Sequence, residues 1–124
     1  MTGLIIHESG SVGLKDFHEP LYLDVKETLG GYMEIVLPKH LPDPFILLVN
    51  ETGLLQDLKL NILASWFYGS FDRFPSPPCI VGPVIIMKEV FTEEGPDIGG
   101  LDRGDVFEIC ALIDIYRDLF EEVL

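Results

Sequence analysis

The chain has 124 residues, 48% of them hydrophobic, and a formal net charge of −13 from 21 acidic and 8 basic side chains. That is the length of one domain with material for one core. The negative excess excludes non-specific nucleic-acid binding, which needs a basic surface to neutralise phosphates, and it disfavours an anionic membrane surface.

In chain order, residues 4–6 (Leu-Ile-Ile) form a short β-favouring run closed by Glu8-Ser9-Gly10, which predicts a first strand. The first ten residues, MTGLIIHESG, carry neither the basic nor the apolar region of a secretory signal. A loop follows to Leu21-Tyr22-Leu23, a candidate second strand. Asp24 with Glu27 has the spacing of a capping box, predicting a short helix over 25–29 that stops at Gly30-Gly31. Residues 32–37 (YMEIVL) end at Pro38 and are predicted to be a strand. Pro42 and Pro44 prevent continuous pairing through the next turn. Residues 45–49 (FILLV) are a continuous apolar run, expected as a buried strand. Asn50-Glu51-Thr52-Gly53 is a tight turn with Gly53 suited to positive φ. Residues 57–67 suit a short helix or a packed irregular segment, and 69–78 an exposed loop. Residues 79–90 are predicted to be a strand interrupted at Gly82-Pro83 by a bulge or an edge position. Residues 92–104 are expected to be a loop, and 105–122 are the clearest helix. No apolar run approaches the roughly 20 residues of a membrane helix. The expected architecture is a single domain over 1–124. It is α+β, with a mainly antiparallel sheet of four to five strands and a long C-terminal helix. One or two short helices pack with that helix on one face.

The C-terminal helix carries the most information. At about 100° per residue, Val106, Ile109, Leu112, Ile113, Tyr116, Leu119, Phe120 and Val123 share one broad apolar stripe, with Asp114, Asp118, Glu121 and Glu122 opposite. Asp102 or Asp105 is placed to cap its N-terminus. Asp118, Glu121 and Glu122 lie in the last turns, where the helix dipole prefers cations. Residues 89–124 hold 11 acidic and 2 basic side chains, a net of −9. Such a face serves solubility or, alternatively, a basic partner protein met through electrostatic steering. The candidate partner-binding residues are Glu93, Glu94, Asp97, Asp114, Asp118, Glu121 and Glu122.

Trp66, Phe67, Tyr68, Phe71 and Phe74 are either a lid over the sheet or an apolar interface beside the Pro-rich loop, a homodimer contact included. Tyr32, Asn50, Glu51 and Asn61 fall at strand ends and are candidates for a small-ligand pocket. An anionic ligand there would need Lys59, Arg73 or Lys88 to converge. His7, His18 and His40 lack metal-ligand spacing. Cys79 and Cys110 match neither a disulfide framework nor a zinc motif; their apolar surroundings predict buried free thiols in a reducing compartment. There is no P-loop, G-x-S-x-G or Rossmann glycine pattern. No catalytic residue, metal or cofactor is therefore expected.

Four stretches together resemble a family of small proteins of unknown function from bacteriophages and bacterial mobile elements. They are Leu29-Gly30-Gly31-Tyr32-Met33-Glu34, Leu48-Val49-Asn50-Glu51-Thr52-Gly53, Leu58-Lys59-Leu60-Asn61 and Ile80-Val81-Gly82-Pro83-Val84-Ile85-Ile86. Asp57 stands where the family tends to carry glycine and Pro83 where it tends to carry threonine, and residues 69–78 look inserted. The resemblance implies a fold and a phage-like origin in the cytoplasm of a bacterial host cell, and no chemistry. Joined to the acidic C-terminal region, it gives the leading expectation of a non-catalytic accessory protein. This protein would bind and modulate, by inhibition, a host protein with a basic surface. A CRISPR or restriction component, or another nucleic-acid-handling factor, is the class expected, with no direct contact to nucleic acid or membrane. The alternatives are a protein that sequesters a small ligand or nucleotide signal, and an enzyme of unknown type.

Overall fold

The computed structural model of the chain describes residues 1–72 and 78–123, with side chains through Leu119. The elements are β1 (Thr2–Ile6), β2 (Val12–Asp16), α1 (Leu21–Leu29), β3 (Met33–Val36), β4 (Phe45–Asn50), α2 (Ile62–Tyr68), β5 (Val84–Thr92), β6 (Gly95–Gly99) and α3 (Arg103–Val123). The strands form one six-stranded sheet in the order β2-β1-β5-β4-β3, with β6 also on β5. Every pairing is antiparallel. β5 is long enough to pair with β1 through Val84, Ile85 and Ile86 and with β6 from Lys88 to Thr92. β1 and β6 therefore follow one another along the same edge of β5, and Leu101 N–H donates to the Thr2 carbonyl at 2.8 Å to close the junction.

Side chains alternate across the sheet and build two cores. Leu4, Ile6, Leu47, Val84 and Ile86 face α2 and α3, where they meet Ala64, Phe67, Ile109 and Ile113. Ile5, Ile46, Leu48, Ile85 and Met87 face the other way and meet Phe17 and the α1 residues Val25 and Leu29. The α+β class, the antiparallel sheet and the long C-terminal helix are as the sequence indicates. The cover is not on one face only, because α1 lies opposite α2 and α3. The FILLV run requires this: every residue of β4 is buried, and a strand apolar at each successive position needs cover on both faces.

Two of the six strands were expected as loop. β2 (VGLKD) and β6 (GPDIG) are short and glycine-containing, with one fully buried residue between them, so their apolar signal is weak. Leu21-Tyr22-Leu23 is the first turn of α1, not a strand. Pro20 precedes it with φ −75° and no side-chain cap, a residue whose fixed φ suits a helix start. Asp24 is thus inside the helix and caps nothing. Its carboxylate instead accepts from His18 N–H at 2.8 Å and from Lys15 Nζ at 2.9 Å, tying β2 to α1. The His18 N–H and the Lys15 ammonium bring its pKa down to about 2. The strand expected over 79–90 begins only at Val84. Before it, Gly82 takes φ +77° with Leu58 Cδ1 2.7 Å from where a Cβ would stand, and residues 80–82 pair instead with the segment leading into α2.

Candidate functional site

α3 is fixed at its start by its own acidic residues. Asp105 N–H donates to Asp102 Oδ1 at 2.8 Å and Asp102 N–H to Asp105 Oδ2 at 2.9 Å, a reciprocal capping box. Lys88 on β5 reaches Asp105 at 2.7 Å and Asp102 at 3.7 Å. Burial raises the Asp105 pKa, but the hydrogen bonds from Lys88 and Asp102 outweigh it and hold the carboxyl below its ordinary value. The Asp105 bond raises Lys88 above its own. Two of the carboxylates in the acidic C-terminal region are therefore spent on docking the helix.

Ile109 and Ile113 of α3 are buried, and Val106, Cys110, Leu112 and Tyr116 pack against the same core. The outward face carries Glu108, Asp114 and Asp118, all exposed. It also carries apolar side chains that the helical stripe did not include. Phe107 is 79% and Ile115 54% exposed, and with Ala111 between them they form an i, i+4, i+8 line. Leu119, expected on the core stripe, is exposed as well; it sits at the margin of the stripe, beyond the last buried position. Glu93 and Glu94 lie at the β5–β6 turn and Asp97 on β6, all exposed, on an element separate from α3. The side chains of Glu121 and Glu122 lie outside the described residues.

The aromatic segment does not act as one patch. Phe67 is fully buried. Trp66 packs edge-on to Tyr116, with ring centroids at 5.3 Å, and Phe71 lies exposed beside it at 6.3 Å. Tyr68 is half-buried and lines a different cleft, beside β3 and β4. Phe74 lies outside the described residues. The rings nearest α3 thus form a wall, and the others are core or the border of a second cleft.

Nor are the four candidate pocket residues brought together. Asn61 is 0% exposed. Its Oδ1 accepts from Ala64 N–H, capping α2, and its Nδ2 donates to the carbonyls of Ile6 at 3.0 Å and Gly82 at 2.9 Å. Asn50 is buried too; its Nδ2 donates to the Leu29 carbonyl and to Gln56, and its Oδ1 accepts from Thr52 N–H. Tyr32 is exposed, with Lys26 Nζ 4.2 Å above its ring. Only Asn50 and Glu51 reach the cleft of about 330 Å³ at β3 and β4. Cys79 is exposed rather than buried, because β5 starts beyond it. Cys110 is half-buried. His40 Nε2 and Lys39 share the Asp72 carboxylate, whose pKa the Lys39 and His40 bonds lower.

Among the described residues no cluster of histidine, cysteine and carboxylates is placed to hold a metal, and no helix is long and apolar enough to cross a membrane. No curated protein and no solved structure matches the chain. A family model does, over residues 1–107. The chain belongs to the DUF3846 family, described as a domain of unknown function.

Proposed function

We propose that this is a non-catalytic binding protein whose outward α3 face engages a protein partner with a basic, partly apolar surface. One observation carries the reading. Phe107 and Ile115 stand in water on a helix whose inner side already supplies the core, and they are interleaved with Glu108, Asp114 and Asp118. Exposed apolar groups in a row, rimmed by charge of one sign, are what an interface offers. The carboxylates steer a cationic partner and set orientation, while Phe107 and Ile115 supply area to bury. A host factor that handles nucleic acid is the partner class with the complementary surface, and occupation of that surface would inhibit it. This extends the accessory role implied by the family resemblance.

The test uses an amphipathic peptide with lysines on one face and leucines on the other. Binding that weakens with salt, falls in Phe107→Ser and Ile115→Ser, and loses salt dependence in Asp114→Asn with Asp118→Asn supports the reading. Equal binding of a peptide with serine in place of lysine, or of the variants, overturns it.

A further inference from the structure

On the α2–α3 side of the sheet, away from the outward face of α3, a cleft of about 560 Å³ opens between the β1–β2 turn, α2 and α3. That is within the usual size of a small-molecule site. One wall is aromatic. Trp66 from α2 and Tyr116 from α3 meet edge-to-face, and Tyr116 is braced from beneath by the buried Phe67, ring centroids 5.4 Å apart. The opposite rim is polar: the Ser9 and Ser11 hydroxyls lie 3.0 Å apart in the β1–β2 turn. Between wall and rim lies Arg117, half-buried. Its Nη2 donates to the Gly10 carbonyl, which anchors the guanidinium across the cleft. Among the described residues that is its one polar contact. A guanidinium has five N–H donors in a fixed plane, so the anchored group presents further donors along the aromatic wall.

We infer that this cleft binds an uncharged planar heteroaromatic carrying a ring carbonyl, the class of the oxo-purines. The aromatic wall takes a flat ring. Arg117 takes two acceptors in one plane, as it does from the O6 and N7 edge of guanine, and the serine hydroxyls take polar groups on the far side. An anion is disfavoured: Asp114 and Asp118 lie within one turn of Arg117 on the same helix, Glu8 lines the cleft, and the chain carries −13 overall. This site is distinct from the α3 outward face and does not rest on that face having a partner.

Trp66 is the only tryptophan in the chain, so its fluorescence and its single indole N–H resonance report on this cleft. Titration with guanosine and with inosine should shift both signals saturably. Adenosine, which presents a donor where they present a carbonyl, should bind about tenfold or more weakly, the factor a bidentate arginine pair contributes. Arg117→Gln should remove the preference for guanosine over adenosine, and Ser11→Ala should weaken guanosine while keeping it. Circular dichroism on each variant checks the fold. No saturable shift of the Trp66 indole resonance at millimolar guanosine overturns the inference. So does equal affinity for guanosine and adenosine, or a preference that survives in folded Arg117→Gln.

Discussion

Asn61 offers the sharpest test of how the fold is held. Its amide joins three elements: it caps α2 through Ala64 N–H and ties in the carbonyls of Ile6, at the end of β1, and Gly82, just before β5. Asn61→Ala removes all three bonds at a site closed to water. Loss of a helix cap costs about 1 kcal/mol. Each buried carbonyl left without its donor costs about 1–2 kcal/mol more. The expected loss is about 3–5 kcal/mol, a large fraction of the roughly 5–15 kcal/mol that holds a domain together. Asn61→Asp separates the parts. It keeps an acceptor for Ala64 N–H but sets a second oxygen against the Ile6 and Gly82 carbonyls. With two carbonyls facing that second oxygen and no donor to it, the carboxyl has its pKa raised in the folded state. A raised carboxyl pKa means a penalty absent below the ordinary carboxylate range that grows as pH rises through the folded value. Urea unfolding followed by Trp66 fluorescence at pH 7 and pH 5 measures both variants against wild type. Asn61→Ala costing less than about 1 kcal/mol, or Asn61→Asp matching wild type at pH 7, would refute the account.

Within α3, Ile109→Ala and Ile113→Ala are each expected to cost about 2–5 kcal/mol. Phe107→Ser and Ile115→Ser should stay within about 0.5 kcal/mol, and thermal melts of the four variants check the inner and outer faces together. Asp24 has its folded pKa depressed from 3.8 to about 2, so it contributes stability above its unfolded pKa that is lost as pH falls through the folded one. The wild-type melting temperature should therefore drop on acidification across that window. Asp24→Asn should start lower at neutral pH and drop less. Asp57 holds φ +55°, the left-handed region that glycine enters without strain. Asp57→Gly is expected to raise stability by about 0.5–1 kcal/mol in urea unfolding, after glycine's extra chain entropy is subtracted, and a lowered midpoint would contradict this.

The most legible parts of the sequence were those where burial dictates pattern. FILLV marks a buried strand and the stripe through Ile109 and Ile113 a core helix, but the one-faced cover expected for the sheet overlooks that a strand apolar at every position needs cover on both faces. β2 and β6 are hidden because their signal is mainly backbone pairing: VGLKD and GPDIG give the cores only the partly buried Val12 and Ile98, and β6 exists because β5 runs on to Thr92 and presents it a free edge. Asn61 looked like a pocket residue for a physical reason as well. A polar residue at a strand end suits a ligand, but it equally suits backbone groups of three elements that converge on it, and only the spatial meeting of residues 6, 61, 64 and 82 decides between them. Phe107 and Ile115 have a signal in their spacing of eight, with Ala111 midway, but it is masked by the wider stripe beside it. The Trp66–Arg117 cleft had none, since it needs the β1–β2 turn to arrive between two helices distant in sequence.

The four stretches carrying the family resemblance acquire a common role once the anchors are drawn. Leu29-Gly30-Gly31 meets Asn50, whose Nδ2 takes the Leu29 carbonyl. A Cβ on Gly31 would stand 2.8 Å from Asn50 Oδ1, so only glycine lets the two segments approach. Asn61 and Gly82 are joined in the same way. These residues secure the turns of the sheet and lie within the span 1–107 that matches the family. Asp114, Ile115 and Asp118 on the outward face lie beyond that span, as do Tyr116 and Arg117 of the cleft. Phe107 of the outward face and Ser9, Ser11 and Trp66 of the cleft lie within it, so the two proposed surfaces straddle its end. Exchanging the outward residues of α3 should leave the anchors and the fold intact while changing what the face binds. Exchanging an anchor should cost stability before it changes binding. The acidity of the last 36 residues is divided too: Asp102 and Asp105 dock the helix through Lys88, whereas Glu108, Asp114 and Asp118 stay exposed on its outward face.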